Sequence, residues 1–338
     1  MRTQPAIQLT ISSSPHAHSR NSTGVIMRDV CIALIPALVA AVVFFGWRAL
    51  TLTLVSVAAC VFFEWAYRRL MKKDSTVGDC SAVVTGMLIA FVCPVSLPYW
   101  TVILGDLFAI VLVKQLFGGI GMNIVNPALA ARAFLFSWPA LMSGSYVRAG
   151  TSLDPFSATT GAALDALTTA TPMESLAAGT LPSASLLELF LGRIGGSLGE
   201  VSAAALLLGG LYLLIRRVIS LRIPVSYLGT VALLAFAFPQ GGCDRLSWML
   251  CQLLSGGLML GALFMATDYT TSPVTRWGQV AFGIGCGVLT VLFRYFGTYV
   301  EGVTYAILIM NCCVGFFDKI GVPRRFGEKK AKKGGEAA

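Results

Sequence analysis

Long apolar segments, rather than short amphipathic periods, dominate this chain. A helix that crosses a bilayer needs about 20 mostly apolar residues, within a range of roughly 17–25. Ten segments approach that length, although several are short or contain Gly or Pro. They are residues 30–45, 49–67, 81–97, 98–117, 124–142, 200–215, 223–239, 246–266, 278–293 and 300–317. The pattern predicts an all-α polytopic membrane protein with about ten transmembrane helices.

One long polar connection divides the apolar segments into two groups of five. Residues 143–199 contain many Ser, Thr and Ala and few aromatic residues. Because each half has an odd number of spans, the halves would be inverted relative to each other. A weak similarity between 85–88 and 256–259 supports this, and chance similarity of Gly-rich segments remains the alternative. We therefore divide the chain into an N-terminal segment (1–29), a first half (30–142), an external loop (143–199), a second half (200–317) and a basic tail (318–338).

Composition and charge agree with a membrane protein. Hydrophobic residues make up 56% of the chain and charged residues only 12%, whereas a soluble domain has about 25% charged residues. With a cytoplasmic N-terminus, 20 of the 25 Lys and Arg fall on the cytoplasmic side, including Lys114 and Arg132. This is the expected bias of a multi-pass protein. The net charge of +9 therefore reflects topology and contact with anionic lipid and does not indicate nucleic-acid binding.

The cysteines and histidines do not form a metal-binding pattern. No Cys-x-x-Cys pair occurs among the nine cysteines, and the only histidines, His16 and His18, lie in the N-terminal segment. Zinc and iron–sulfur sites usually need such spacing. We expect the cysteines to be small packing residues in helices, with no metal site.

A glycine-rich turn with two asparagines follows the fourth apolar segment. It comprises residues 118–128, and Asn126 precedes Pro127 as a helix cap would. Capping explains Asn126 but leaves Asn123 unexplained. Two carboxamides could instead hold the heterocyclic edge of a flavin or quinone, because each offers donors and an acceptor. Spacing leaves both interpretations open.

Acidic and hydroxyl-bearing residues mark further candidates. Residues 266–273 place Asp268 among hydroxyls, either as the cap of a polar turn or in a pocket that faces the bundle. Asp106 and Glu64 lie inside predicted spans, where ionisable groups are costly and are functional candidates. Glu200 and Glu301 begin spans, and we expect them to reach the membrane interface. Taken by spacing alone, residues 165–173 are a Thr-rich turn.

Four segments together resemble one family. They are 14–16 with 26–37, the asparagine turn 118–128, the Thr-rich loop, and 264–273. In this order and within ten spans, they resemble the D subunit of the Rnf ion-translocating electron transport complex. The B subunit of the sodium-translocating NADH:quinone oxidoreductase is a relative. The resemblance implies a bacterial cytoplasmic (inner) membrane protein with both termini cytoplasmic and the loop external.

The resemblance also implies a covalent cofactor. Family members carry FMN as a phosphoester on a loop threonine, attached from FAD by a flavin transferase. Thr171 matches that acceptor, and a phosphoester needs an exposed hydroxyl, which a loop supplies. Thr168 retains a hydroxyl in the place of the usual Ser, whereas Thr169 replaces the usual Gly. A second, non-covalent riboflavin is implied as well, and we assign it to Asn123 and Asn126, with Asp268 as a further cofactor-binding candidate.

The function implied by the resemblance is that of one subunit in a larger enzyme. With the other subunits of an Rnf-type complex, the chain would couple electron transfer between ferredoxin and NAD to translocation of sodium ions or protons. Flavin performs the electron chemistry and the protein positions it. Two alternatives remain: a transporter or channel built from an inverted repeat without a redox cofactor, and a family member that has lost its flavin.

Overall fold

The described part of the computed structural model is helical. It comprises residues 22–142, 146–150, 169–200, 202–297 and 302–321. The helices of the first half are α1 (Thr23–Phe45), α2 (Trp47–Leu70), α3 (Ser81–Phe91), α4 (Tyr99–Leu107), α5 (Pro127–Leu135) and α6 (Pro139–Met142). Those that follow are α7 (Pro172–Ala177), α8 (Leu186–Leu191), α9 (Ala203–Ile215), α10 (Arg222–Ala237), α11 (Arg245–Leu254), α12 (Leu258–Leu260), α13 (Arg276–Phe296), α14 (Val303–Cys312) and α15 (Val314–Phe317).

Three shorter segments complete the helical structure. A 3₁₀ turn covers Val77–Asp79 before α3. A π-helical segment, Phe108–Gln115, continues α4, and a second, Gly261–Met265, continues α12. Predictions that concern the N-terminal residues before 22, Thr168, Glu301 and the tail beyond 321 lie outside the described residues.

The lengths of the helices confirm a multi-pass helical protein in coarse terms. Among the described residues, α1, α2 and α13 are long and apolar enough to cross a membrane. A fourth span arises if α11 and the segment Leu258–Met265 are taken together, although they are bent by 64°. α3, α9, α10 and α14 are apolar but shorter. A helix overlaps each of the ten predicted segments, and the ten-span inverted arrangement itself stays a prediction.

Several predicted spans are shorter than expected because the chain breaks inside them. The segment predicted for 81–97 is helical only to Phe91. Pro94 follows shortly after, and proline disfavours helical geometry at the residue before it. The segment predicted from 124 begins at Pro127. The segment predicted for 246–266 is interrupted between Leu254 and Leu258.

Buried arginines satisfy backbone carbonyls at two of these breaks. Arg48 donates to the carbonyl oxygens of Val95, at 2.9 Å, and Ser96, at 3.4 Å. Arg294 donates to the carbonyl of Ser255 at 3.0 Å, beyond the end of α11. Backbone carbonyls in such breaks make no helical hydrogen bond, so each guanidinium lowers the cost of burying them.

α1 and α9 cross at a position where only glycine fits. A Cβ added to Gly209 would lie 2.0 Å from the carbonyl oxygen of Ala33. That oxygen belongs to the backbone of α1 and cannot move without moving the helix. A small residue therefore sets the distance between the two helices, as in other closely packed membrane helices.

We expect Gly209→Ala to destabilise the protein. The added methyl group forces α1 and α9 apart, and overpacking of this kind costs about 1–3 kcal/mol. The measurement is the midpoint of thermal unfolding in detergent, followed by tryptophan fluorescence. Gly229→Ala in α10 is the matched control, because a Cβ there has no atom within 4 Å. Equal midpoints for the two variants would show that the crossing is not tight.

Candidate functional site

The asparagine turn is a tight reversal that ends in a capped helix. Gly118, Gly119 and Gly121 have φ values of 120°, 101° and 90°, which side chains with a Cβ rarely adopt. Asn126 then caps α5, because its Oδ1 accepts from the backbone N–H of Ala128 at 3.0 Å. The capping interpretation of Asn126 is therefore confirmed.

Asn123 connects this turn to the turn that contains Asp268. Its partner there, Thr270, is 147 residues further along the chain. Asn123 Nδ2 donates to Thr270 Oγ1 at 3.0 Å, and Thr270 Oγ1 donates to Asp268 Oδ2 at 2.9 Å. Asn126 Nδ2 also reaches the carbonyl of Met265, at 3.3 Å. The structure therefore brings together Asn123, Asn126 and Asp268, the three residues that the sequence marked as candidates for binding a cofactor.

These residues line a cavity of about 80 Å³, here called the amide cavity. Its walls come from α1, α3, α5, α9 and the segment around Asp268. Polar groups on the wall include Ser81, Thr85, Lys114, Asn123 and Asp268, and apolar contacts come from residues such as Leu88 and Phe264. Burial raises the pKa of the Asp268 carboxyl above its usual range, while bonds from Thr270 oppose that shift.

Both π-helical segments end beside the amide cavity. Phe108–Gln115 contributes Lys114, and Gly261–Met265 contributes Phe264. π-helical turns are rare and often occur at functional sites. Sequence patterns did not indicate them, because residues 108–113 and 261–265 contain no polar positions whose shift in register would reveal an extra residue in the turn.

The charge count assigned Lys114 to the cytoplasmic side, beside the turn that follows the fourth span. Its side chain is buried, and its Nζ lies 2.9 Å from Glu64 Oε2 and 2.6 Å from Ser81 Oγ. Gln115 and Thr76 donate to the other oxygen of Glu64. Burial of both charges is tolerated because each is paired and hydrogen-bonded. Glu64 is confirmed as a buried acid, with a structural partner.

Glu200 and Arg132 form a second buried pair. We expected Glu200 to reach the membrane interface and counted Arg132 on the cytoplasmic side; the structure shows that both side chains are buried inside the protein. Arg132 Nη1 lies 3.0 Å from Glu200 Oε1. Without Lys114 and Arg132, the predicted charge count still leaves 18 basic residues on one side against 5, so the bias towards one side does not depend on them.

Thr171, the predicted acceptor of FMN, lies at the start of α7. It is the N-cap of that helix, and its Oγ1 accepts from the N–H of Glu174 at 3.4 Å. The side chain is only 7% exposed, so the expectation of an exposed hydroxyl is wrong. The exposed neighbour is Thr169, whose backbone N–H donates to Tyr146 O at 3.0 Å.

A larger polar cavity adjoins Thr171. Its volume is about 340 Å³, and it is called here the loop cavity. It shares Pro172, Ile194 and Gly195 with the small cavity that Thr171 lines. Its other lining residues include Arg148 and Arg193. Two guanidinium groups are suitable donors for a phosphate.

An acidic residue on the wall of the loop cavity is held ionised. Glu188 belongs to a capping box with Ser185, which opens α8. The backbone N–H and the hydroxyl of Ser185 both donate to Glu188, and these bonds hold the pKa of that carboxyl below its usual range. The loop cavity thus has both signs of charge on its wall.

The two cavities differ in how well they suit a flavin. Ligand pockets typically measure about 300–1,000 Å³. The loop cavity falls in that range and carries groups that suit phosphate and ribityl hydroxyls. The amide cavity has suitable donors and acceptors for a heterocycle, but at about 80 Å³ it is too small for a three-ring group in this conformation.

Sequence reasoning missed one residue that holds the site together. With its amide oriented to satisfy its neighbours, Asn311 accepts from the N–H of Asn126 at 3.2 Å and donates to the carbonyl of Thr271 at 3.0 Å. It therefore ties α14 to both turns. The only signal in the sequence was a single amide near the end of the last apolar segment.

Comparisons with known proteins agree on one family. A family model described as the NQR2, RnfD, RnfE family matches residues 10–327. The D subunit of the Na(+)-translocating ferredoxin:NAD(+) oxidoreductase complex from Acetobacterium woodii is 46% identical over 98% of this chain and 99% of the relative. The D subunit of the proton-translocating ferredoxin:NAD(+) oxidoreductase complex from Clostridium ljungdahlii is 39% identical over 95% of this chain and 97% of its own length. The D subunit of the ion-translocating oxidoreductase complex from Stutzerimonas stutzeri is also 39% identical, over 93% of this chain and 95% of the relative.

Proposed function

The chain belongs to the NQR2, RnfD, RnfE family, and from this membership we propose that it is the D-type membrane subunit of an ion-translocating ferredoxin:NAD(+) oxidoreductase complex. The complex couples electron transfer between ferredoxin and NAD to movement of sodium ions or protons across the membrane. The chain acts with the other subunits of that complex and is not a complete enzyme alone.

The observation that carries this proposal is the 46% identity to a relative of that name over nearly the full length of both chains. Similarity of this extent includes both turns that meet at the amide cavity. The relatives differ in the ion that their names give, sodium in one and a proton in another. The ion therefore does not follow from family membership.

The cofactor we propose is FMN, attached to the Thr171 hydroxyl as a phosphoester by a flavin transferase. A flavin supplies one- and two-electron chemistry. The loop cavity supports this assignment, since Arg148 and Arg193 lie on its wall and suit the phosphate. Because Thr171 is buried, the first turn of α7 must open before the transferase reaches the hydroxyl. Local opening of a short helix needs little free energy.

Non-covalent riboflavin at Asn123 and Asn126 is a weaker proposal. Asn126 already uses its amide oxygen to cap α5 and its amide nitrogen to bind Met265. Asn123 donates to Val125 and Thr270, and no described hydrogen bond uses its Oδ1. Asn123, with Thr267 and Asp268, is therefore the better candidate to contact a heterocycle, once the cavity has widened.

For the membrane arrangement, we propose ten spans as two inverted halves, with both termini cytoplasmic and the loop that carries Thr171 on the outer side of the bacterial inner membrane. Each half contains a helix that ends early, α3 in the first and α11 in the second. A buried arginine binds the carbonyls beyond each end, Arg48 in one half and Arg294 in the other. Such interrupted helices in matching places are typical of inverted repeats.

Inverted membrane vesicles provide the test of this function. Vesicles from cells with and without the chain are supplied with reduced ferredoxin and NAD(+), and NADH formation and ion uptake are recorded together. We expect both to disappear without the chain and to return when it is restored. Unchanged NADH formation would overturn the proposal. Ion flux through the purified chain in liposomes, with no electron donor and no flavin, would instead identify a channel or transporter.

A further inference from the structure

A further buried acid, Asp106, does not line either cavity. It is on α4, one residue before the helix ends, and its side chain is fully buried. Among the described residues, no Lys or Arg forms an ion pair with it; Lys114, two turns further along, is held by Glu64. An unpaired carboxylate in such a place is strongly disfavoured.

The hydrogen-bonding pattern around Asp106 is that of a protonated carboxyl group. Ser56 Oγ lies 2.8 Å from Asp106 Oδ1 and 2.9 Å from the carbonyl oxygen of Gly86. The hydroxyl has one hydrogen, so it can donate to only one of two bare acceptors. If Oδ1 carries a proton, Asp106 donates to Ser56 and Ser56 donates to Gly86. Both short contacts are then hydrogen bonds.

The second carboxyl oxygen points to the same protonation state. Asp106 Oδ2 is buried and has no hydrogen-bond partner in the part of the chain that the structure describes. A charged carboxylate normally accepts several hydrogen bonds when it is buried. The Cys60 thiol lies 3.5 Å from Oδ1 and is only a weak donor. A neutral acid tolerates this environment far better than a carboxylate.

We propose that Asp106, Ser56 and Cys60 form a proton-binding site in the first half of the protein. On uptake, an O–H bond forms at Asp106 Oδ1 and the carboxyl becomes neutral. On release, that bond breaks, the proton leaves and the negative charge returns to the carboxylate. The use of this site in ion translocation rests on the proposed function, but proton binding itself does not.

A proton fits the site better than a metal cation. Hard cations such as Ca²⁺ and Mg²⁺ take roughly six to eight oxygen ligands. The contacts described for Asp106 are one hydroxyl oxygen and one thiol sulfur. The site thus lacks the oxygen shell that a cation needs, whereas a proton requires only one oxygen and a neighbour to receive its hydrogen bond.

Buried polar groups extend from Asp106 towards the amide cavity. Ser56, Cys60 and Glu64 are four residues apart on α2, so they share one face of that helix. Glu64 binds Lys114, which lines the amide cavity. The groups that face Asp106 from its neighbours are therefore the Cys60 thiol and, beyond it, the Glu64–Lys114 pair. Cys93, which follows α3, is a further buried thiol in this half.

Labelling with dicyclohexylcarbodiimide tests the proposal on the purified full chain in detergent. This apolar reagent modifies protonated carboxyl groups in apolar surroundings, and the labelled peptide is identified by mass spectrometry. We expect label on the Asp106 peptide at neutral pH, loss of that label as the pH is raised, and no label there in Asp106→Asn. Glu64 is the matched control, because it is equally buried but paired with Lys114, and it should stay unlabelled.

The outcomes separate this proposal from its competitors. Absence of label at Asp106 at every pH, in protein with an unchanged unfolding midpoint, would refute proton binding. Loss of label on addition of NaCl at constant pH, but not of choline chloride, would identify a sodium site and overturn the proton assignment. Because labelling needs neither flavin nor ferredoxin, it is independent of the vesicle experiment, and either proposal can fail alone.

Discussion

Replacing Thr171 with Ala removes the covalently bound flavin from the chain completely. The expected phosphoester has one acceptor, the Thr171 hydroxyl, and Ala170 before it and Pro172 after it have no nucleophilic side chain. The chain is produced together with the flavin transferase and separated on a denaturing gel. The fluorescent band of the unsubstituted protein should be absent from the Thr171→Ala lane, at equal amounts of protein.

Three further variants separate loss of the hydroxyl from loss of the helix cap. Thr171 caps α7 through Glu174, and removal of such a cap costs about 0.5–2 kcal/mol. Thr171→Asn retains a good capping group without the acceptor hydroxyl, so it should lose the band although α7 is intact. Thr171→Ser retains both the capping oxygen and the acceptor hydroxyl, so it should keep the band. Thr169→Ala, at the exposed position two residues earlier, should keep the band, and a band in Thr171→Asn would place the attachment elsewhere.

The positions of the helices were predictable because apolar length is a local property of the sequence. α1 and α2 needed no tertiary information beyond a run of apolar residues. Their interruptions were harder to predict, since a break at Phe91 depends on whether buried carbonyls find a partner. That partner is Arg48, 47 residues distant from Val95, and the sequence shows no connection between them.

The candidate site was predictable in its residue types but not in its contacts. Spacing offered capping as one interpretation of Asn126, which the structure confirms, and left Asn123 unexplained. Spacing did not reveal that Asn123 binds Thr270, because the two residues belong to different halves of the chain. Spacing also did not reveal that Lys114 and Arg132 are buried beside acidic partners, for a related reason. A basic residue near a predicted turn is assigned to solvent unless its acidic partner is known.

Arg132 provides the second large effect. We expect Arg132→Met to destabilise the protein by about 3–5 kcal/mol, because it leaves the Glu200 carboxylate buried without a partner. Both side chains are almost fully buried, at 2% and 4% exposure. Gly257 also packs against this pair, since a Cβ there would lie 2.6 Å from Glu200 Oε1. The pair therefore holds α5, the start of α9 and the break after α11 together.

A double-mutant cycle measures the interaction between Arg132 and Glu200 apart from their contacts with other residues. Arg132→Met combined with Glu200→Leu removes both charges, and such replacements are often close to neutral, so the double variant should recover most of the loss. Unfolding midpoints in detergent are compared across the four proteins. The control is Arg216→Met, which breaks the pair with Asp29, in which the arginine is 51% exposed. Asp29 is buried but its arginine is solvated, so the loss should lie between the roughly 0–1 kcal/mol of an exposed pair and that of the Arg132–Glu200 pair. If Arg132→Met shifts the midpoint no more than Arg216→Met does, the Arg132–Glu200 pair does not hold these elements together, and water must reach the carboxylate.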